Sequence, residues 1–486
     1  MKRALPKILF LLLTLTGNRI SAAGLFFNIV ATGSVLTINT TIPNHTYPNA
    51  GISVRTPGYQ LTGVGRDCQL NTNGYCLFTV SDKQSAQISI SGPSGTVQVV
   101  LCLNGAGALS CQNYYVHIDN FLFTVGTYES GGIISPIFYR STDFGATWQG
   151  PLFLTVPVGA TNNKANSISC SRSGLVCSTV GNIFIGGTNQ SFAWSTSDGG
   201  INWLPSVIPL STANEILIGV SCSSDGAKCA AVGQSLATGR PIAYFSKNSG
   251  RIWLASTVPA GATGSMQGVS CSSTLSTCTA VGLSFVPLSA VAYYSLDEGK
   301  TWFASSGLDP IEQAVLFRVS CSTSGKNCAS VGKTLDDLNL IAYTSENSGV
   351  TWSKSAPFQL PTSSLPTVEL VGLGCSDSGN QCTAVGSAAN ATVDFALSYS
   401  TKNGGRTWSS PTLVPPPNPP GTSIKFNGLF CYPSGVLCFA VGRADLANPF
   451  QPIVFETVNG GSNWKEGSPL DGGAGRDNLF SASGSH

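Results

Sequence analysis

The sequence comprises 486 residues with a formal net charge of +2, and only 10 % of the residues are charged. A chain with so few charges has no basic stripe to neutralise phosphates, which argues against nucleic-acid binding, and its 42 % apolar content is too high for a disordered protein. The length suits two or three domains or one large repeat array.

Residues 1–23 are predicted to be an export signal. Lys2, Arg3 and Lys7 precede an apolar run from Ile8 to Leu15, and small residues follow it, so we expect cleavage after Ala23. The run is too short to span a bilayer, and no later stretch reaches about 20 apolar residues. The mature protein is therefore expected in the periplasm or outside the cell, with no transmembrane segment.

Residues 24–115 are predicted to form a small β-sandwich. Apolar and polar residues alternate in SVLTINT, QISISG and VQVVLCL, and Gly, Pro and Asn separate these runs. The segment resembles the immunoglobulin-like N-terminal modules of exported bacterial repeat proteins. That resemblance implies a separate domain in front of the repeats.

The rest of the chain repeats one eight-residue stretch, here called the box, which begins with Ser or Thr, has Asp or Asn third and Gly fifth, and ends in Trp. The boxes are STDFGATW (141–148), TSDGGINW (196–203), SKNSGRIW (246–253), SLDEGKTW (295–302), SENSGVTW (345–352), TKNGGRTW (401–408) and TVNGGSNW (457–464). Successive tryptophans lie 55, 50, 49, 50, 56 and 56 residues apart. Such a period is typical of propellers and other repeat folds.

Each repeat contains four short β-prone runs. In residues 219–253 these are strand A (GVSC), strand B (CAAVG), strand C (IAYFS) and strand D, which starts at the tryptophan. The box is then the turn between strands C and D: its Asp or Asn accepts hydrogen bonds from later N–H groups, and its glycine suits a positive φ. A device repeated seven times indicates a structural role rather than catalysis.

The sixteen cysteines fall into eight close pairs, and in an exported chain such pairs predict disulfides. The expected pairs are Cys68–Cys76, Cys102–Cys111, Cys170–Cys177, Cys222–Cys229, Cys271–Cys278, Cys321–Cys328, Cys375–Cys382 and Cys431–Cys438. Zinc is the rival, but it needs four converging ligands, and His45, His117 and His486 are the chain's three histidines. We predict no metal site and no cofactor.

The seven boxes resemble the Asp-box (BNR) repeats of sialidases and related β-propellers. Three boxes have Asp and four have Asn at the third position, a variation that the family tolerates. The resemblance covers roughly residues 116–484 and implies an all-β fold, a seven-bladed propeller with the small sandwich in front. It also implies that the boxes lie between the third and fourth strands of each blade, away from any catalytic face.

Counting strands predicts how the ring closes. Seven B strands and seven boxes need seven A strands, but only six carry the C-x6-C hairpin. The tail, residues 478–484 (NLFSASG), resembles an A strand, so we expect it to pair with Leu122–Val125 and complete blade one within a propeller of residues 116–486. Closure removes the exposed edges of an open array.

Any site is expected on the face opposite the boxes, where the variable B–C loops emerge. The candidate binding residues there are Arg240, Arg318, Lys333 and Arg443. Arg318 stands three residues before a cysteine, where the other A strands have small residues. Its side chain either projects into the central channel or is satisfied by a nearby acid or carbonyl.

Catalysis has no support from the sequence beyond the fold. A sialidase grips its substrate carboxylate with three arginines and uses a tyrosine activated by a glutamate, and neither set is recognisable here. The acids expected on the candidate face are Glu215, Glu312, Asp336, Asp337, Glu369, Asp394 and Asp445. There is also no nucleophile-elbow, P-loop or dinucleotide motif.

The favoured hypothesis is an exported, monomeric, non-enzymatic propeller that presents its loops to a glycan or protein partner. A sialidase-like glycoside hydrolase is the first alternative, and an assembly or scaffold factor is the second.

Overall fold

The computed structural model describes strands between Ile20 and Ile118 and the chain from residue 121 to residue 485, with gaps at 144, 210–213, 362–366, 391–392, 415–422, 446–449 and 472–475. Every regular element among these residues is a β-strand, so the all-β prediction is confirmed. The described part of the chain contains no helix long and apolar enough to cross a membrane. The chain divides into two compact units: residues 1–120 with 142–144 and 485–486, and residues 121–141 with 145–484.

The first unit contains two five-stranded antiparallel sheets, with the orders β1-β2-β3-β8-β5 and β10-β9-β4-β7-β6. Its strands are β1 (Ile20–Ala23), β2 (Phe27–Thr32), β3 (Val35–Thr40), β4 (Thr46–Val54), β5 (Gln60–Gly63), β6 (Gln69–Leu70), β7 (Cys76–Ser81), β8 (Ala86–Ser91), β9 (Gly95–Cys102) and β10 (Cys111–Ile118). Strand β1 consists of the last four residues of the predicted export signal, whose other residues lie outside the described ones. The signal and the immunoglobulin-like sandwich stay predictions.

The second unit is a seven-bladed β-propeller, which confirms the predicted fold. Each blade is a four-stranded antiparallel sheet. The strands of each blade are given from the inner strand A to the outer strand D. Blade one consists of β38 (Arg476–Gly484), β11 (Leu122–Ser130), β12 (Ile133–Ser141) and β13 (Gln149–Phe153); blade two of β14 (Thr161–Cys170), β15 (Cys177–Ile185), β16 (Thr188–Thr196) and β17 (Leu204–Pro205); blade three of β18 (Glu215–Cys222), β19 (Cys229–Ser235), β20 (Arg240–Ser246) and β21 (Leu254–Ala255); and blade four of β22 (Ser265–Cys271), β23 (Cys278–Phe285), β24 (Leu288–Ser295) and β25 (Phe303–Ala304). Blade five consists of β26 (Ala314–Cys321), β27 (Cys328–Thr334), β28 (Leu340–Ser345) and β29 (Ser353–Lys354); blade six of β30 (Thr367–Cys375), β31 (Cys382–Ala389), β32 (Asp394–Thr401) and β33 (Thr412–Leu413); and blade seven of β34 (Ser423–Cys431), β35 (Cys438–Asp445), β36 (Gln451–Thr457) and β37 (Lys465–Glu466).

Six predicted disulfides are confirmed, one in the A–B hairpin of each blade from two to seven. Their Cα atoms lie 4.0–4.1 Å apart, because the two cysteines face each other across neighbouring strands: Cys170–Cys177, Cys222–Cys229, Cys271–Cys278, Cys321–Cys328, Cys375–Cys382 and Cys431–Cys438. In the first unit, the backbone of Cys102 lies opposite Cys111. Cys68 and the side chains of Cys76, Cys102 and Cys111 lie outside the described residues, so those two disulfides stay predictions.

A glycine of strand B faces a β-bulge of strand A in every blade. In blade three, the register shifts between Leu217 and Gly219, which leaves Ile218 as the extra residue. A Cβ on the facing Gly233 would lie 2.0 Å from the carbonyl oxygen of Ile216, so no other residue fits. The equivalent glycines meet the same obstacle at 1.8–2.0 Å: Gly126, Gly181, Gly282, Gly332, Gly386 and Gly442.

The boxes form a fixed turn that also packs against the preceding blade. In the second box, the backbone N–H of Gly200 donates to Thr196 Oγ1 at 3.1 Å, and the N–H groups of Ile201 and Asn202 donate to Asp198 Oδ1 at 3.0 Å. The box glycine of blade three, Gly250, has a φ of 74°, and a Cβ there would lie 2.3 Å from the hydroxyl of Ser178 in blade two. The glycine is therefore required both by the turn and by the neighbouring blade.

Neighbouring blades share their cores and are joined by hydrogen bonds around the axis. Between blades three and four, Val232 and Ala243 pack with Met266, Tyr293 and Trp302 in one buried cluster. At five interfaces, the N–H of the residue that ends one A strand donates at 2.9–3.1 Å to a serine Oγ of the preceding A strand: Cys170–Ser483, Cys222–Ser169, Cys271–Ser221, Cys321–Ser270 and Cys375–Ser320. A serine one residue before the end of strand A thus links adjacent blades at these five interfaces.

Strand β38 forms the inner strand of blade one. It pairs with β11 in a register that places Leu122 opposite Gly484. At its start, the hydroxyl of Tyr139 on β12 donates to Asp477 Oδ2. Asp477 is fully buried, and burial raises the pKa of its carboxyl to about 6, against the lowering effect of the Tyr139 hydrogen bond. The two ends of the propeller therefore meet in one sheet.

We expect a chain that ends at Leu470 to be much less stable than the full chain. That truncation keeps all four strands of blade seven but removes β38, which exposes the edge of β11 and opens the ring. The melting temperature should fall by about 10 °C or more. A chain that ends at Gly484 is the control and should melt as the full chain does; equal melting temperatures for both truncations would contradict a closing role of β38.

The Asp477→Asn variant should change how stability depends on pH. The folded-state pKa of Asp477 is raised from 3.8 to about 6, so its contribution is fully present below pH 3.8 and is lost as the pH rises through about 6. The free energy of unfolding of the variant, relative to wild type, should therefore increase by about 2–3 kcal/mol between about pH 4 and pH 7. Urea unfolding at a series of pH values measures this difference, and a constant difference would contradict it.

Candidate functional site

The propeller has two unlike faces. The A–B hairpins with their disulfides and the C–D boxes lie on one face, here called the box face, while the B–C and D–A connections lie on the other, the loop face. In blade three, Cys222 and Cys229 are at the box face, and Ser235 and Arg240 are at the loop face. The two faces differ in sequence because the A–B hairpins and the boxes, which repeat the same turns from blade to blade, all lie on the box face.

A cavity of about 410 Å³ lies on the propeller axis, and all seven blades line it. Seven of its residues are the bulged residues of the A strands: Asn166, Ile218, Gln267, Phe317, Val371, Asn427 and Phe480. The others are Arg318 and four residues nearer to the loop face: Lys164, Asn182, Ile216 and Gln234. The bulges therefore decide which side chains reach the axis.

Arg318 is the candidate residue that lines this cavity. Its Nη1 group donates to the carbonyl oxygens of Gln267 at 3.2 Å and Phe317 at 3.0 Å, and no acid of the described chain forms an ion pair with it. Some of its surface stays open to the cavity, yet protein surrounds it, and this burial lowers the pKa of the guanidinium to about 10. At pH 7 it is a cation that lines the cavity.

An ion pair crosses the axis at the box face. Arg172, in the A–B hairpin of blade two, is buried, and its Nη2 lies 3.4 Å from Asp377 Oδ2 in the hairpin of blade six. These blades are not neighbours in the ring, so the pair spans the opening between them. The cavity is accordingly approached from the loop face.

The other three candidates do not line the cavity. The exposed Arg240 donates from Nε to the carbonyl oxygen of Ala262 at 3.3 Å. Lys333 lies 2.7 Å from Asp337 and 3.4 Å from Glu369, and its ammonium is 5.9 Å from the ring centre of Phe317. The guanidinium of Arg443 is 3.1 Å from Asp445 and 4.5 Å from the ring centre of Phe450. The arginines come from blades three, five and seven and form no cluster.

The acids of the loop face bind to their own scaffold. Each contacts a tyrosine, a cation or a turn: Glu215 with Tyr244, Glu312 with Tyr343 and Lys354, Asp336 with Thr334 and the N–H of Leu338, Asp337 with Lys333, Glu369 with Lys333 and Ser387, Asp394 with Lys425, and Asp445 with Arg443. Within the described part of the chain, no three His, Cys, Asp or Glu side chains are placed to hold a metal ion.

The tyrosine–acid pairs were missed by the sequence analysis. Tyr244 on strand C donates to Glu215 at 2.8 Å in blade three, and Tyr343 donates to Glu312 at 3.2 Å in blade five. Burial is the largest cause that raises the pKa of Tyr244, and the Glu215 hydrogen bond raises it further. The arrangement recurs in blade one, where the hydroxyl of Tyr139 donates to Asp477.

An exposed apolar group, here called the crest, lies on the B–C loops of blades three, four and five. Its members are 40–77 % exposed: Leu236, Phe285, Val286, Leu288 and Leu338. Two of these loops meet here, because the ring of Phe285 in blade four lies 3.7 Å from the Cβ position of Gly239 in blade three. Exposed aliphatic side chains on neighbouring loops are typical of surfaces that bind a partner.

Comparison with known proteins yields structural likeness alone. YCF48 bound to D1 peptide is 17 % identical, with a TM-score of 0.41 over 64 % of this chain and 84 % of that chain. Kuenenia stuttgartiensis hydrazine synthase is 10 % identical (TM-score 0.43, 64 % and 89 %), and U3-55K is 6 % identical (TM-score 0.44, 65 % and 90 %). No family model matches the chain, and no curated protein matches it. Its own strands define it as a seven-bladed β-propeller with disulfide-linked hairpins.

We expect the Tyr244→Phe variant to lose about 1–3 kcal/mol of the free energy of unfolding, because it leaves the buried Glu215 carboxylate without its hydrogen-bond donor. The matched control is Tyr293→Phe in blade four, whose equally placed side chain is buried without a hydrogen-bonded acid among the described residues. Urea unfolding measures both. Equal losses would show that Tyr244 acts through packing alone.

Proposed function

We propose that the protein is an exported, monomeric, non-catalytic binding propeller whose loop face takes up a protein or glycan partner. The observation that carries the proposal is the crest of exposed apolar side chains on three consecutive loops, beside a cavity that contains an arginine. Loops fixed by a rigid scaffold are the usual place for recognition.

We also propose that the chain is exported and consists of two domains. Residues 1–23 are assigned as the export signal, 24–115 as an immunoglobulin-like domain and 116–486 as the propeller. The boxes are assigned to the Asp-box type because the hydroxyl of Thr196 and the carboxylate of Asp198 hold the turn as that repeat requires. Disulfides in six hairpins support an oxidising compartment.

A sialidase-like hydrolase is the weaker alternative. Glycoside hydrolysis needs two carboxyl groups beside the scissile bond, and the loop-face acids instead hold cations, tyrosines and turns of the scaffold. Three arginines that converge on one substrate carboxylate are also missing from the cavity, where Arg318 is accompanied by Lys164. A scaffold role differs from the favoured one in the number of partners bound.

Replacement of one exposed valine on each face tests the proposal. The probes are a glycan array, an array of displayed peptides and a panel of fluorogenic glycosides. Val286→Asp, on the loop face, should lower partner binding by about tenfold or more, because it places a charge in an apolar contact. Val458→Asp is the matched control: Val458 is 73 % exposed in a box, against 77 % for Val286.

Three outcomes decide between the candidates. Binding that Val286→Asp weakens and Val458→Asp leaves unchanged supports recognition by the loop face. Equal effects of the two variants contradict it. Turnover of any glycoside by the purified protein would support the hydrolase instead.

A further inference from the structure

Arg318 departs from the rule that the other inner strands follow. Its equivalents are small residues, because neighbouring A strands approach closely here: a Cβ on Gly268 would lie 2.8 Å from the carbonyl oxygen of Phe317, and one on Gly428 would lie 2.6 Å from that of Phe480. Blade five alone of the seven places a long cation at this position. Its guanidinium loses water without gaining an acid, which is unfavourable for the fold alone.

The geometry points to an acidic side chain of a peptide as the occupant of the cavity, with its carboxylate paired to Arg318. This inference rests on the proposed function and names its partner class. The guanidinium has five N–H donors, and the two hydrogen bonds within the protein both leave from Nη1. The Nε and Nη2 edge is the one that binds a carboxylate through two parallel hydrogen bonds.

The charge of the cavity agrees with an anion. Lys164 is its second cation and forms no ion pair with a described residue, while no Asp or Glu lines the cavity. Five amide side chains complete its polar part: Asn166, Asn182, Gln234, Gln267 and Asn427. These amides can hydrogen-bond a carboxylate or a backbone amide without opposing its charge.

The size of the cavity restricts how the partner enters. A volume of about 410 Å³ holds one or two side chains but not a folded surface. Because Arg172 and Asp377 cross the axis at the box face, the side chain enters from the loop face. The occupant is therefore a flexible segment or a projecting loop.

The crest favours a peptide over a sugar. Its members are aliphatic apart from Phe285, and aliphatic side chains bury the apolar groups of a peptide, whereas a sugar ring calls for hydroxyl-binding groups. The crest lies on blades three to five, which also supply Gln234, Gln267 and Arg318 to the cavity. A peptide with an acidic residue among aliphatic ones would complement both surfaces.

Selection from a library of random displayed 12-residue peptides tests the inference with the full mature chain. Peptides bound by the wild type should be enriched in Asp or Glu flanked by Leu, Ile or Val. The selected peptides should bind Arg318→Gly about 10- to 100-fold more weakly, because the two parallel hydrogen bonds between the guanidinium and the carboxylate are lost. Arg318→Gly introduces the residue found at this position in other blades, so the fold should tolerate it, which circular dichroism and melting verify.

Matched variants separate the possible results. Arg251→Gln, an exposed arginine in a box, removes the same charge from the other face and should leave binding unchanged; Arg318→Lys should restore binding in part. Peptides selected without an acid, or bound equally by Arg318→Gly, overturn the inference but leave the proposed function in place. Binding of uronic-acid glycans that depends on Arg318, with no acidic peptide selected, overturns the peptide as occupant. No binding of peptide or glycan by the wild type overturns both proposals.

Discussion

The propeller depends on one close approach of two backbones: the carbonyl oxygen of each strand A occupies the space where a Cβ of strand B would otherwise be. At Gly332, for example, that Cβ would lie 1.8 Å from the oxygen of Val315. A glycine in each B strand permits the bulge, and the bulge bends the inner strand where seven strands crowd around one axis. Disulfides and boxes then fix the box-face end of each blade.

The same constraint leaves the side chains of the bulged residues free to vary. The backbone of each bulge is fixed, but its side chain points to the axis and can vary: Asn166 and Gln267 are polar, while Ile218, Val371 and Phe480 are apolar. The cavity can therefore acquire new chemistry without a change of fold, which is the usual relation between propeller scaffolds and their ligands. Arg318 is not a bulged residue: it follows the bulge at Phe317 and stands at the position where the other inner strands have a small residue.

The charges of this sparsely charged protein mostly serve the scaffold. Buried tyrosines of strand C donate to Glu215, Glu312 and Asp477, and the half-buried Glu298 binds lysines that hold its pKa at about 2. The unusual group is Arg318 in the cavity, because no acid of the described chain forms an ion pair with it.

The sequence by itself determined the number of blades, the order of strands and the six propeller disulfides, because all of these follow from short segments that repeat about every 50 residues. It left Arg318 open between a residue that projects into the channel and one satisfied by a nearby acid or carbonyl; the structure shows hydrogen bonds to carbonyl oxygens and a place in the lining of the cavity. Only the tertiary structure decided the rest. Lys164, Arg318 and Phe480 meet at one axis although they are far apart in the chain, since ring closure and bulge register place them there. The tyrosine–acid pairs follow the same rule, because partners about 30 residues apart or more carry no shared motif.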